Sequence, residues 1–461
     1  MNPPAPARIA LAAILIFVAN TAIGADDKNA DVLIDAKIAV SVGKESDPEL
    51  LARLEAYKPS NPEDTKFVTD LKIRIHYALA QSDAEAGQLE KGIAHLRASA
   101  ALCDQKASPE NWFMVHRELA AFLHKAGRTD EVIPIVKSLI DHADQTLGPD
   151  HADTLKMVGN LGNLYDQKED YASAEPYFLR LFKTLERTVG ADHNQTLSFA
   201  HQLAAFYEKK GTPAAAEPLY QRIIKALEIS RGPDAPETLS ALDNLATLYF
   251  AKADYTAAEP LYQRVLEARE QSLGADHADT LAAAQNRADV YYEKDDYTAA
   301  EPLFQRVLKA REHTLGPDHD DTLATVQRLA NLYYAKDDYT AAESLYQRII
   351  KAREHTLGPD APETLTALGD LADVCYAKAD YTAAEPLYQR VYKGRERANG
   401  PEDVETCRAA YNLALCYQSQ EEIPEALPLA EQALRGWTKK LGDGHKDTIA
   451  AKELVEELKN Q

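Results

Sequence analysis

Five histidines fall at multiples of one fixed interval, next to or near aspartates: His151, His193, His277, His319 and His445. Imidazole beside carboxylate is material for a metal site, but a zinc shell needs about four ligands around one point. Residues that recur once per interval are spread along the chain's axis, so capping and loop roles are expected for them. The run Asp318-His319-Asp320-Asp321 is acidic enough for calcium, yet it lacks the spaced oxygen ligands and turn glycine of a calcium loop. Lysine at 168, 210, 252, 294, 336 and 378, and arginine at 180, 222, 264, 306, 348 and 390, form two basic columns. These would draw an acidic partner or, more simply, pair with neighbouring carboxylates near helix ends. No nucleophile–base set, phosphate-cradling glycine loop or paired-acid motif is present, so catalysis is not expected and no cofactor or metal is called for.

A different chemistry recurs at the same interval. Asn160, Gln202, Asn244, Asn286 and Asn412 occupy one column, with Glu118, Arg328 and Asp370 in its remaining places. Asn163, Asp289, Asn331 and Asp373 lie one helical turn further on in four of the units. A side-chain amide both donates and accepts, so a ladder of amides can hold an extended peptide backbone without demanding a particular sequence. Lys156 and Lys209 on this stripe precede Asp289, Glu293, Asp370 and Asp373, which implies a partner whose basic groups lie toward the second half.

What positions these residues is the interval itself. Glycine recurs at 148, 190, 232, 274, 316, 358, 400 and 442, and threonine at 154, 196, 238, 280, 322, 364, 406 and 448, a period of 42 residues without an insertion. Within one unit, Leu242, Leu245, Ala246 and Tyr249 give the apolar stripe of a first helix, and Ala258, Leu261, Tyr262, Val265 and Leu266 that of a second. The turn Lys252-Ala253-Asp254 is too short for anything but an antiparallel pair. Ser240, Asn244, Thr247 and Ala251 then point away from the core stripe. In Asp234-Ala235-Pro236-Glu237 and Asp360-Ala361-Pro362-Glu363 the aspartate is expected to cap the next helix. Pro176, Pro218, Pro260, Pro302 and Pro386 are expected near second-helix starts, where few hydrogen bonds are lost.

The 42-residue spacing, with Ala-Glu-Pro-Leu-Tyr-Gln-Arg and Leu-Gly-Pro-Asp-His motifs, resembles the tetratricopeptide repeat of the kinesin light chain variety over roughly three quarters of the chain. The resemblance implies an all-α fold, a right-handed α-solenoid of antiparallel helix pairs. It also implies that the amide stripe lines a concave groove and that small residues let the helices approach: Gly162, Ala204, Ala246, Ala288, Ala330, Ala372 and Ala414 in one column, Ala174 through Ala426 in the other. Glu169, Ala253, Asp295, Asp337 and Ala379 replace the family's turn glycine, and Arg287 and Cys375 stand in core positions. Of the family's clamp for a C-terminal carboxylate only Arg117 and Asn160 match, while Ala121, Ser198 and Gln202 do not, so that specificity is not expected.

Composition sets the remaining bounds. The chain is 461 residues long with 45% hydrophobic composition, enough to bury a large core. Acids outnumber bases 73 to 51, for a formal net charge of −22, which disfavours nucleic acid as a partner. Arg8, the apolar run from Ile9 to Ala19 and Ala22-Ile23-Gly24 read as an export signal cleaved after about residue 24, leaving no stable membrane span and a periplasmic or secreted location. The organisation expected is a signal peptide (1–24), a helical or partly irregular segment (25–64), an atypical helix pair (65–111), eight repeats (112–447) and a capping helix (448–461). Cys407 and Cys416 are about 13.5 Å apart along one helix and cannot bridge; Cys375 with Cys416 could, though free buried thiols are expected. The reading is a scaffold that binds a protein or peptide segment, with structural assembly of an envelope complex, self-association, or service as an enzyme's accessory subunit as alternatives.

Overall fold

A computed structural model describes Val32, Asp35 and residues 48–461 except Ser60. The expected signal peptide and its cleavage point lie outside the described residues. Among those described there are twenty α-helices and no strand. They fall into two compact units, Met1–Lys210 and Gly211–Gln461. The first holds α1 (Pro48–Ala56), α2 (Pro62–Glu85), α3 (Leu89–Leu102), α4 (Pro109–Lys125), α5 (Thr129–Thr146), α6 (Ala152–Gln167), α7 (Tyr171–Thr188) and α8 (Asn194–Lys209). The second holds α9 (Pro213–Ser230), α10 (Pro236–Ala251), α11 (Tyr255–Leu273), α12 (Ala278–Glu293), α13 (Tyr297–Thr314), α14 (Asp320–Ala335), α15 (Tyr339–Thr356), α16 (Pro362–Ala377), α17 (Tyr381–Asn399), α18 (Val404–Ser419), α19 (Ile423–Leu441) and α20 (Lys446–Asn460). Within each unit every helix packs on its chain neighbours, the arrangement of an all-α solenoid.

The two sequence columns that define the period are bonded to each other. Each connector glycine adopts a positive φ of 86–103°, which glycine reaches without steric cost. At five of them the carbonyl accepts the hydroxyl of the threonine six residues on, as in Thr154 to Gly148 at 3.0 Å, Thr238 to Gly232 at 2.8 Å and Thr364 to Gly358 at 2.9 Å, whereas the buried hydroxyls of Thr280, Thr406 and Thr448 find no partner among the described residues. These threonines are buried, so the bond both ends one helix pair and fixes the start of the next.

The five recurring histidines are helix caps. In each, Nδ1 accepts the backbone N–H two residues on, at 3.2 Å in His151, His193, His277 and His319 and 3.3 Å in His445. Asp234 and Asp360 do not cap, contrary to expectation. The cap falls one residue later, in the column that the histidines occupy in other units, and Ala235 and Ala361 there have no side-chain acceptor. The second helices are capped instead by aspartates of the tight turn, Asp254 accepting from Ala257 N–H and Asp338 from Ala341 N–H, each at 3.1 Å. Ahead of them Glu169, Ala253, Asp295, Asp337 and Ala379 take the left-handed conformation, φ 56–59°, at a site that favours glycine. The prolines also depart from expectation: Pro176, Pro260, Pro302 and Pro386 are the sixth residues of their helices, inside rather than at the start, so each removes one amide from the ladder.

Both basic columns are staples between successive pairs. Lys252, Lys294, Lys336 and Lys378 bond the glutamate 35 residues back at 2.5–2.8 Å, and in the first unit Lys210 reaches Glu175 at 2.5 Å. Arg264, Arg348 and Arg390 pair with the glutamate 36 residues back at 2.5–2.7 Å and donate to the carbonyl 31 back at 2.9–3.1 Å. Cations so committed do not form an open basic stripe. Alanines 174, 258, 300, 342, 384 and 426 are all fully buried between helices, and at Gly162 an added Cβ would lie 2.7 Å from the Phe178 ring.

The doubtful core positions find specific solutions. Arg287 donates to the Tyr291 hydroxyl at 2.9 Å and lies over its ring, but its buried Nε has no partner among the described residues. Cys375 is buried, and all four cysteines are free thiols. Helix α20 closes the second unit: Leu454, Val455 and Leu458 pack on Ala414, Ala426 and Ala430. Ile449 of the same helix is 46% exposed.

Candidate functional site

The recurring polar column lies on the first helix of each pair, and the structure divides its members into open and engaged. In the first unit Asn160, Asn163 and Gln202 are exposed and make no side-chain hydrogen bond among the described residues. They border two cavities, each of about 400 Å³. One lies among α4, α5 and α6, floored by Val132, Val136, Leu139 and Leu164 and rimmed by Arg117, His124, Asn160 and Asn163. The other runs along α6, α7 and α8, floored by Phe178, Leu181, Leu185 and Phe199, with Asn160, Asn163 and Gln202 again at the edge. Asn160 and Asn163 thus stand between two apolar hollows. Lys156 beside them is paired with Asp153 at 3.2 Å, and Lys209 with Asp166 at 3.0 Å.

In the second unit Asn244 is exposed and unbonded among the described residues, whereas Asn286 donates to Asp243 at 3.4 Å. Arg328 pairs with Asp289 at 2.8 Å. Asn331 Oδ1 accepts from the Tyr346 hydroxyl at 2.6 Å and from Gln327 at 3.1 Å, and Gln327 also donates to Asp370 at 2.8 Å. Asp373 accepts from the Tyr388 hydroxyl at 2.5 Å. Asn412 is half-buried, unbonded, and borders clefts of about 180 and 240 Å³ that also hold Asp373 and Tyr388. A uniform row of solvated amides, the sequence expectation, is therefore present only in part.

Burial raises the carboxyl groups here. Asp289 and Asp370 are each pushed up to about 6, chiefly by desolvation, with Arg328 opposing the shift at Asp289 and Gln327 opposing it at Asp370. Asp373 is likewise raised by burial, and its bond from Tyr388 opposes this. The expected gradient of charge is narrower than the residue types suggest. Both lysines and Asp289 have ion-pair partners, which leaves Glu293, Asp370 and Asp373 as the acids of this gradient without a paired cation among the described residues, Glu293 accepting from the Tyr255 hydroxyl at 3.3 Å. Sequence reasoning missed Tyr334, Tyr376 and Tyr388 around Asp373, because tyrosines of the apolar stripes read as core.

Among the described residues no group of three or more His, Cys, Asp or Glu is arranged to hold a metal ion, and no helix is long and apolar enough to cross a membrane.

A tetratricopeptide repeat profile matches residues 113–187, 192–271, 245–313, 279–355 and 322–397, and a second tetratricopeptide repeat profile matches 406–447. No curated protein matches the chain. Among solved structures it is similar to nearly identical TPR-like repeats, described as kinesin light chain, from Podosopora anserina: 23% identity, 45% of this chain and 98% of that one, TM-score 0.42. It is also similar to BtubC (BKLC) from P. vanneervenii, with 17% identity over 57% of this chain and 93% of that one and a TM-score of 0.40. A tetratricopeptide repeat protein from Parabacteroides merdae shows 16% identity over 66% of this chain and 99% of that one, TM-score 0.45. The sequence matches extend over more than half of a chain built from stacked antiparallel helix pairs, and on that basis it belongs to the tetratricopeptide repeat family.

Proposed function

We propose that this chain is a non-catalytic scaffold that binds a peptide or protein segment along the first-helix face, with Asn160 and Asn163 at the centre of the contact. The fold is generally a protein–protein interaction scaffold. The finer reading is supported by one observation above all: two adjacent, open amides between two apolar cavities. A segment laid there can bury side chains on either side while its backbone bonds the amides, the combination of apolar surface and a few polar groups that binding clefts use.

The test is affinity capture with wild type and an Asn160→Ala/Asn163→Ala/Gln202→Ala variant, scored by mass spectrometry after crosslinking in the native compartment. Three lost hydrogen bonds at about 0.5–1.5 kcal/mol each weaken the complex by about tenfold or more. Thermal melting of the variant holds or rises, since alanine is the better helix former and no internal bond is removed. Equal recovery of the same partners places the binding site elsewhere.

We also propose that binding takes place outside the cytoplasm, on the support of Arg8, the run Ile9 to Ala19 and the small residues before Ala25. The intact mass of the exported protein should lack about 24 N-terminal residues. A full-length chain in the membrane pellet would overturn this location.

A further inference from the structure

We propose that the cleft around Asp370 and Asp373 in the second unit takes a basic side chain, lysine or arginine, of a bound protein segment. The inference rests on the scaffold reading above and gives its partner a chemistry.

Asp370 and Asp373 lie one turn apart on α16. Each receives one hydrogen bond from a neutral donor, Gln327 for Asp370 and the Tyr388 hydroxyl for Asp373. Neither makes an ion pair among the described residues. One glutamate column of the second unit contrasts with them: Glu217, Glu259, Glu301 and Glu343 each hold a lysine of the next pair. The nearest arginines are committed elsewhere. Arg395 and Arg408, which line the cleft of about 180 Å³ with Asp370 and Asp373, both pair with Glu405, at 3.0 and 3.1 Å, and Arg353 donates to the Glu363 carbonyl at 2.8 Å. Two carboxylates at this depth without a cation are costly, and an incoming cation offsets that cost where an anion or a neutral group cannot.

The walls of the cleft fit the same ligand. Tyr334, Tyr376 and Tyr388 surround a hollow of about 240 Å³ beside Asp373 and Asn412. Tyr334 is 39% exposed, which leaves its ring open to contact. Aromatic faces attract ammonium and guanidinium groups, a carboxylate supplies a charge-assisted hydrogen bond, and the unbonded Asn412 oxygen can accept another. Dimensions agree as well: the hollow admits the end of one extended side chain, not a folded element.

The probe is a short fluorescein-labelled peptide of alternating alanine and arginine, with lysine and citrulline counterparts, titrated by anisotropy against the full chain. The arginine and lysine peptides bind, and the uncharged citrulline isostere binds about tenfold more weakly or worse, as loss of a charge-assisted contact requires. Asp370→Asn/Asp373→Asn weakens the arginine peptide by a similar factor, and Tyr334→Ala weakens it several-fold with unchanged melting. An Asp276→Asn/Asp318→Asn variant, which removes two exposed acids of the same unit, leaves the affinity as it was. Equal binding of the citrulline peptide, or equal losses in both double variants, reduces the effect to the chain's overall negative charge and overturns the proposal. The scaffold reading is judged separately. If native partners are lost with the Asn160, Asn163 and Gln202 substitutions but kept with Asp370→Asn/Asp373→Asn, the scaffold reading stands and the basic side chain does not. If both variants retain them, both fall.

Discussion

Ala258→Leu lowers the stability of the second unit by about 3 kcal/mol, the upper end of what overpacking a filled core costs. Ala258 is fully buried where α10 and α11 cross, in contact with a cluster that contains Ala246, Tyr262 and Val290 and is bordered by Tyr249, Phe250 and Tyr255. Both helices are pinned at this point. Asp254 caps α11 from the turn, Lys252 is tied to Glu217, and Arg264 donates to the Pro233 carbonyl at 3.0 Å. The pair therefore cannot slide apart to admit three more carbons, and the strain falls on the rings. Thermal melting measures the loss, and Ala258→Ser, of nearly the same volume, is the control that should stay close to wild type. Ala258→Leu melting at the wild-type temperature would show that the two helices do not approach closely here.

How much of this was legible in the sequence depends on whether a residue's partner sits at a fixed offset. The helix pairs, their turns and the buried alanine columns follow from a period of 42 and two apolar stripes, because every unit repeats the same local problem. The glycine–threonine columns were visible as columns, but not as a bond between them. Nothing in a list of residue types says that the hydroxyl reaches back six positions. The same holds for the lysines and arginines, whose glutamates lie 35 and 36 residues away on the previous pair. Where capping was inferred one unit at a time it failed at Asp234 and Asp360, since the cap lies one residue later, in the column of His151 and His277, and alanine fills it there. The polar column was legible as a surface and illegible as a state. In the column of Asn163 and Asn331, whether an amide is open, as at Asn163, or engaged, as at Asn331, depends on a tyrosine from the second helix of its own pair. Tyr346 and Tyr388 turn their hydroxyls out of the core toward that column, whereas in the pair of α6 and α7 Phe178 has none to offer. A single oxygen thus separates Asn163 from Asn331, while Asn244 stays unbonded among the described residues, the Tyr262 hydroxyl of its pair going to Thr247 at 2.9 Å.

Asp370→Asn stabilises the second unit at neutral pH, and the gain disappears in acid. The folded protein holds the Asp370 carboxyl at about 6, by burial and by the neighbouring Asp373 charge, against about 3.9 in an unfolded chain. A carboxyl raised on folding contributes its full stability below the unfolded value, where both states are protonated. It loses that contribution as pH rises through the folded value, because ionisation is then easier in the unfolded chain. About two units at 1.36 kcal/mol each sets a ceiling of about 3 kcal/mol at pH 7. Asparagine has the same shape and keeps an oxygen for Gln327, so it removes the buried charge without opening a hole. The groups that bear on the site are Asp373, Arg353, Arg395, Tyr346 and Tyr388, and all but the two arginines disfavour the charge or are indifferent to it. Denaturant melts at several pH values should show the variant ahead of wild type at pH 7, the gap narrowing through pH 6 and closing near pH 4. A constant gap across that range would trace the gain to packing, and no gap at pH 7 would mean that solvent reaches Asp370 freely. Asp289→Asn gives less, because Arg328 lies 2.8 Å away and loses its partner when that charge is removed. A residue that costs its own fold stability at working pH is expected where a ligand supplies the missing charge, and the same Asp370→Asn that firms the unit is the one that weakens the arginine peptide.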